Sequence, residues 1–304
     1  MTDSVAQAYA ACETIARREA KNFYYAFRAL PSPKRAAVCA VYAFMRHADD
    51  LADDEQLPRD ERLAQSQRWL EEWHRAAAGE STENPVFIAL RDTQQRFGIS
   101  TELLDQLVQG TMLDLAAPTS GTEIATHRTF DDLYRYCYLV ASVVGLVCIR
   151  IFGYTDSRAE KLAEKTGIAF QLTNILRDVR EDAERGRVYL PLDDLEQFHL
   201  TKEQFAARQP GQKITVDERR VLEMEAGRAR EYYRAADNLV PLIAPDSRAA
   251  LWVLVTIYRR LLQRIEDAHY EVFAERMSVP TVEKLWILAR GLCMSLRLRL
   301  VANK

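Results

Sequence analysis

Apolar side chains recur along this chain at spacings of three and four, the repeat that turns one face of a helix toward a core. Between 34 and 54, Val38, Val41, Tyr42, Met45 and Ala48 fall on one stripe, and Pro31 and Pro33 supply a start. The same period predicts helices over 59–78, 85–97, 101–115, 130–152, 156–184, 216–239, 246–273 and 282–301. Breaks separate them at Gly79-Glu80-Ser81, Ala117-Pro118-Thr119-Ser120-Gly121, Gly153, Gly186 and Gln209-Pro210-Gly211. No stretch alternates in the manner of a strand, no linker is long or biased enough to divide the chain, and no repeat at a period of about 20 to 50 residues stands out. The expected fold is therefore all-α, a single domain over residues 1–304. Such a helical bundle builds its sites from side chains on facing helices.

Composition narrows the function classes. Of 304 residues, 48% are apolar and 28% charged, with only 11 Gly and 10 Pro, which excludes a disordered or collagenous chain and a many-stranded sandwich. With 41 basic against 44 acidic residues the net charge is −3, so there is no general attraction to nucleic acid and charge must act locally. Cys12, Cys39, Cys137, Cys148 and Cys293 are odd in number and scattered, which reads as buried thiols in a reducing compartment. The first residues reach Glu13, Arg17 and Arg18 without an apolar run, and the longest prominent uncharged run, 136–149, falls short of the roughly 20 residues that span a bilayer. A cytoplasmic protein is expected.

Two acidic clusters carry the chemistry. In Asp49-Asp50-Leu51-Ala52-Asp53-Asp54, Asp49 and Asp53 stack one turn apart, as do Asp50 and Asp54. Acids near a helix C-terminus are disfavoured by the macrodipole, so this arrangement costs stability unless a cation relieves it. In Gln171 to Asp182, the residues Asn174, Asp178 and Asp182 repeat every four positions among Ile168, Leu172, Ile175, Leu176 and Val179. The bland alternatives are a solvated helix end for the first cluster and a salt-bridged surface helix for the second. Taken together, oxygen ligands from two helices, with no His or Cys among them, suit Mg²⁺ completing its shell with water and phosphate oxygens. The expected substrate is a diphosphate. Arg46, Arg177, Arg185 and Arg187 lie near the clusters with bidentate donors for phosphate. No Gly-rich phosphate loop is present. His47, beside the first cluster but on another face from Asp49, reads as structural.

At these residues the chain resembles the squalene and phytoene synthase family of head-to-head prenyl transferases. The resemblance is carried by Asn22-Phe23-Tyr24-Tyr25-Ala26-Phe27, by Tyr42 to Asp53 and by Tyr136-Cys137-Tyr138-Leu139-Val140-Ala141 with Gly145. It continues in Gln171 to Asp182, Arg187-Val188-Tyr189-Leu190-Pro191 and Tyr258-Arg259-Arg260-Leu261-Leu262. Within the family, Phe23 to Phe27 and Arg150-Ile151-Phe152-Gly153 look most like bacterial presqualene diphosphate synthases of hopanoid pathways. Lys21-Asn22 and Leu139 depart from the family's common Ser-rich and Gly positions.

The resemblance implies an isoprenoid-synthase-type bundle around a central cavity. It implies that Asp49, Asp50 and Asp53 on one helix, and Asn174, Asp178 and Asp182 on another, hold two or three Mg²⁺ ions bridging the substrate diphosphates. Arg46, Arg177, Arg187, Tyr258 and Arg276 would contact diphosphate oxygens, with Gln171 at the substrate. Phe23, Tyr42, Tyr136, Val140 and Ala141 would line the prenyl pocket. The expected reaction joins two farnesyl diphosphates to presqualene diphosphate. Squalene (with NADPH), dehydrosqualene and phytoene are the family's other products, and a terpene cyclase and a non-enzymatic helical scaffold are the rival classes.

From Lys284 to Lys304 the chain has five Lys plus Arg and no acid, interleaved with Leu285, Trp286, Ile287, Leu288, Leu296, Leu298 and Leu300. This stretch reads first as a C-terminal core helix with basic residues at its end, and second as a weak peripheral membrane contact.

Overall fold

Prolines and short polar caps set where the helices begin. In α3 (Ser32–Ala52), Pro31 precedes the first turn and Pro33 sits within it, where a missing N–H has no cost. In α5 (Pro85–Phe97), the Asn84 side chain accepts from the Val86 N–H at 3.0 Å, and Gly98, at φ 60°, ends the helix in the left-handed region. Reciprocal capping boxes, Thr129 with Asp132 and Thr215 with Glu218, open α7 (Phe130–Cys137) and α12 (Val216–Leu239).

The computed structural model describes residues 3–116, 124–208 and 211–302. The remaining helices are α1 (Asp3–Glu19), α2 (Lys21–Phe27), α4 (Arg59–Ala77), α6 (Thr101–Ala116), α8 (Val143–Phe152), α9 (Arg158–Glu184), α10 (Leu192–Gln197), α11 (Lys202–Ala206), α13 (Arg248–Asp267) and α14 (Thr281–Ala302). The all-α expectation holds. The predicted break at 117–121 and the first two residues of that at 209–211 lie outside the described residues.

Four differences from the sequence reading have physical causes. Helices α1, α2, α10 and α11 were not predicted; α1 buries only Ala8, Tyr9, Cys12 and Ala16, a face too small-sided to give an apolar stripe. The helix expected over 246–273 stops at Asp267, because His269 and Tyr270 take left-handed backbone (φ 52° and 61°) while Tyr270 and Phe273 continue the core from the loop. A two-residue parallel ladder pairs β1 (Ala125–Thr126) with β2 (Arg187–Val188), where no strand was expected. Cys148 is half-buried and Cys293 exposed, so the five thiols are not uniformly buried.

Two buried apolar clusters make the core, and Phe23, Tyr25, Tyr138 and Phe170 pack against both. Between them runs the stretch Phe130–Phe152, in which α7 passes into α8 through a π-helical segment, Tyr138–Ser142. By length and composition it is the one helix among the described residues that could cross a membrane. Here it forms a wall. Small residues on its neighbours let it approach closely: a Cβ on Gly110 would lie 2.8 Å from the Leu139 carbonyl oxygen, and one on Gly167 would lie 2.5 Å from the Ser142 Cα.

The segment after α9 is fastened by charge. Arg228 on α12 donates to Asp194 on α10 at 3.0 Å and to Glu225 at 2.6 Å, with its guanidinium 4.5 Å from the Phe130 ring. Both acids are buried, so this clamp holds β2 and α10 against the bundle.

Candidate active site

The last turn of α3 and the C-terminal half of α9 form two walls of one cavity. Asp49 lies in that last turn, and Asp53 caps it, its N–H donating to the Asp49 carbonyl at 2.9 Å. On α9, Asn174, Asp178 and Asp182 follow one another turn by turn. All five line a polar cavity of about 290 Å³, together with Gln171, Tyr136, Arg185, Arg187 and Tyr189. An apolar cavity of about 240 Å³ adjoins it, lined by Phe23, Tyr42, Val140, Ala141, Phe170 and Tyr258 among others. Met45, Val140, Val144, Gln171 and Asn174 border both, so one space has a charged end and a greasy end.

The electrostatics of the two walls differ. Burial pushes the Asp49 carboxyl up to about 7, the nearby Asp53 adds to this, and Arg46 only partly opposes it. Asp178 goes the other way. Burial alone would raise it, but hydrogen bonds from Arg177 (Nε at 2.7 Å, with a second from Nη2) and from Arg276 at 2.8 Å hold it below the usual carboxylate range. The Asn174 amide donates to Gln171 Oε1 at 3.2 Å, while its buried Oδ1 has no hydrogen-bond partner. Tyr258 is buried, its ring stacked on Phe170 at 4.4 Å and tilted against Phe23 at 5.9 Å. Burial raises its phenol pKa, with Arg177 and Asn174 opposing.

These features fit a divalent cation held jointly with substrate. Among the described residues no three His, Cys, Asp or Glu converge into an all-protein cage. The carboxylates instead face one space from two walls, one of them is strained by burial beside a like charge, and a buried amide oxygen lacks a partner. Hard oxygen donors with room left for phosphate oxygens suit Mg²⁺.

The family model for squalene/phytoene synthase matches residues 16–283. The chain belongs to the squalene/phytoene synthase family. It is 35% identical over 298 residues to the 15-cis-phytoene synthase of Synechococcus elongatus, spanning 93% of this chain and 91% of the relative. It is 33% identical to a phytoene synthase of Mycobacterium bovis, spanning 96% and 92%. Among solved structures, a dehydrosqualene synthase in complex with ligand matches with a TM-score of 0.82 at 31% identity, over 94% of this chain and 96% of that one. Squalene synthase HpnC from Alicyclobacillus acidocaldarius matches with a TM-score of 0.78 at 29% identity, over 89% and 97%. As a member of this family, the chain is a head-to-head prenyl transferase.

Several assignments shift once the family's residues are seen in place. Asp50 is turned away from the cavity and paired with Arg46 at 2.5 Å. Adjacent positions on a helix point about 100° apart, so Asp49 and Asp50 cannot both face inward. Tyr136 lines the charged end, stacked on Tyr189 at 4.9 Å, and not the apolar cavity. Arg46, Arg177 and Arg276 stand behind the acidic residues and line neither cavity. His47 packs against Trp69 with ring centroids 4.0 Å apart and the planes tilted by 44°, as a structural residue would. Sequence reasoning left Tyr189, Thr111 and Phe170 out of the site. For Thr111 the signal was the neighbouring Gly110, a mid-helix glycine that a close approach requires.

Proposed function

We propose that this chain joins two molecules of geranylgeranyl diphosphate head to head to give phytoene, in a Mg²⁺-dependent reaction. The observation that carries the chemistry is the single space with carboxylates on two walls at one end and aromatic and aliphatic side chains at the other. The choice of chain length rests on the phytoene synthases that this chain resembles over nine-tenths of its length. Those relatives favour phytoene over the presqualene diphosphate expected from the sequence. Condensation of farnesyl diphosphate is the second reading, favoured by the structural likeness to a dehydrosqualene synthase and a squalene synthase. NADPH enters only if the product is squalene.

Asp49 and Asp53 from one wall, with Asn174, Asp178 and Asp182 from the other, would hold the metal. Bound Mg²⁺ supplies charge neutralisation of the leaving diphosphate. Arg185 and Arg187, which line the polar cavity, would add donors to the diphosphate at the same end, while Arg177 and Arg276 hold the Asp178 carboxylate in place. The allylic C–O bond then breaks, its electron pair leaving with diphosphate. The double bond of the second substrate attacks the cation, and loss of a proton closes a cyclopropane. Loss of the second diphosphate, rearrangement and loss of a further proton give the C40 hydrocarbon, with a conjugated triene at its centre. Through these steps the stacked rings of Phe170 and Tyr258, with Phe23, offer π-faces to positive charge and exclude water.

Incubation with geranylgeranyl or farnesyl diphosphate and Mg²⁺, with and without NADPH, followed by mass analysis, tests this. Phytoene from the longer substrate is expected. Products formed from farnesyl diphosphate alone would transfer the assignment to the second reading.

A further inference from the structure

We infer that Lys34, held by Asp246 and Ser247, is a positioning residue that shuts the deep end of the apolar cavity and so sets the longest prenyl chain the enzyme accepts. This rests on the reading of that cavity as the prenyl pocket, and not on which prenyl diphosphate is the natural substrate. Lys34 lies in the first turn of α3, where the helix macrodipole disfavours a cation, so its place calls for a tertiary reason. Its ammonium donates to the Phe152 carbonyl oxygen at 2.7 Å, to Asp246 Oδ1 at 2.7 Å and to Ser247 Oγ at 3.1 Å. These three bonds use every proton of the ammonium. The buried Ser247 hydroxyl in turn donates to Asp246 Oδ1 at 3.0 Å, which closes the cluster.

Each helix joined by this cluster supplies a residue to the deep end of the cavity. Val38 follows Lys34 by one turn of α3, Phe152 ends α8 with its own carbonyl bound by Lys34, and Ala250 and Leu251 stand three and four residues after Ser247 on α13. All four line the apolar cavity, as does Leu239, and none is more than 5% exposed, so this end is closed to water. Asp49, at the charged end, lies fifteen residues along α3 from Lys34, about 22 Å at 1.5 Å per residue. A prenyl chain whose diphosphate sits at Asp49 therefore points toward the cluster. A backbone seam already joins α8 to the segment before α13: the Ala244 N–H donates to the Gly153 carbonyl at 2.8 Å and the Thr155 N–H to the Leu242 carbonyl at 3.1 Å. Lys34 ties α3 into that seam. Apolar contacts between small side chains let helix ends slide, whereas hydrogen bonds of fixed length and direction hold the floor at one depth.

Mg²⁺-dependent diphosphate release is measured with farnesyl, geranylgeranyl and geranylfarnesyl diphosphates for the unaltered protein, Lys34→Met and Asp246→Asn. The unaltered protein should discriminate against geranylfarnesyl diphosphate, the longest of the three. Lys34→Met should raise kcat/KM for that substrate, relative to the preferred one, by about tenfold, with kcat/KM for the preferred substrate within about twofold of the unaltered value. Asp246→Asn, at a side chain 42% exposed, keeps an acceptor for the ammonium and should shift the ratio the same way by less; it decides the matter if Lys34→Met does not fold. A length ratio unchanged in the folded variants, or an equal loss on all three substrates, would overturn the inference alone and leave the cluster a tie between helices. An unaltered protein that already prefers the longest substrate would overturn it as well. Release from none of the three would instead overturn the reading of the pocket, and the inference with it.

Discussion

Asp49 shows how burial and a like charge tune one carboxyl of the site. Its carboxyl is pushed from 3.8 to about 7 because it is buried beside Asp53. A carboxyl with a raised pKa binds its proton more tightly in the folded than in the unfolded state, so its stabilising effect is present at low pH and is lost as pH rises through about 4 to 7. In a chelating buffer this carboxyl should therefore cost the protein stability as pH rises from about 4 to about 7, and Asp49→Asn should be the more stable protein at the upper end by about 1 to 3 kcal/mol. Denaturant melts of both proteins across that range check this; identical pH profiles would contradict it. The residues at this scale were legible where spacing carries the meaning: Asn174, Asp178 and Asp182 repeat every four positions and do share one wall. Spacing could not show that Arg177 and Arg276 occupy Asp178, since Arg276 comes from a loop 98 residues away.

At the level of elements, the cavity exists because α9 and the π-helical segment nearly touch at their backbones. Gly167 permits this, and Ser142 Oγ donates to the Glu164 carbonyl oxygen at 2.7 Å alongside it. Gly167→Ala would drive a methyl into the Ser142 backbone, which has no flexible end to give way. We expect a loss of about 1 to 3 kcal/mol in unfolding free energy, with the Km for substrate raised because the shared wall of the two cavities shifts. Thermal melts and steady-state kinetics measure both. Long helices with one bulky stripe, such as α3 and α13, were readable from the sequence. Elements whose partners are remote were not: α1 shows a small-residue face, and the β1–β2 ladder depends on a pairing 62 residues apart.

Across the whole molecule, the apolar cavity runs along α9 from Asn174 at the charged end to Ala163, eleven residues on, a depth of about 16 Å at 1.5 Å per residue. Cys148 lines this space and does not border the polar cavity. Cys148→Phe should fill part of it, lowering kcat/KM for geranylgeranyl diphosphate by about tenfold or more relative to farnesyl diphosphate. Competition between the two substrates reads that ratio directly, and an unchanged ratio would place the length limit elsewhere. The fold class and the charged end were visible in the sequence, whereas the depth of the cavity arises from α2, α3, α8, α9 and α13 meeting in space and has no local signature.

The central claim is that two walls of one cavity act together on a diphosphate. Its most direct test is Mg²⁺-dependent diphosphate release by the unaltered protein, by Asp53→Ala on the α3 wall and by Asp182→Ala on the α9 wall. Both variants should remain folded and lose about a hundredfold or more in kcat/KM. Full diphosphate release by either variant would contradict the account.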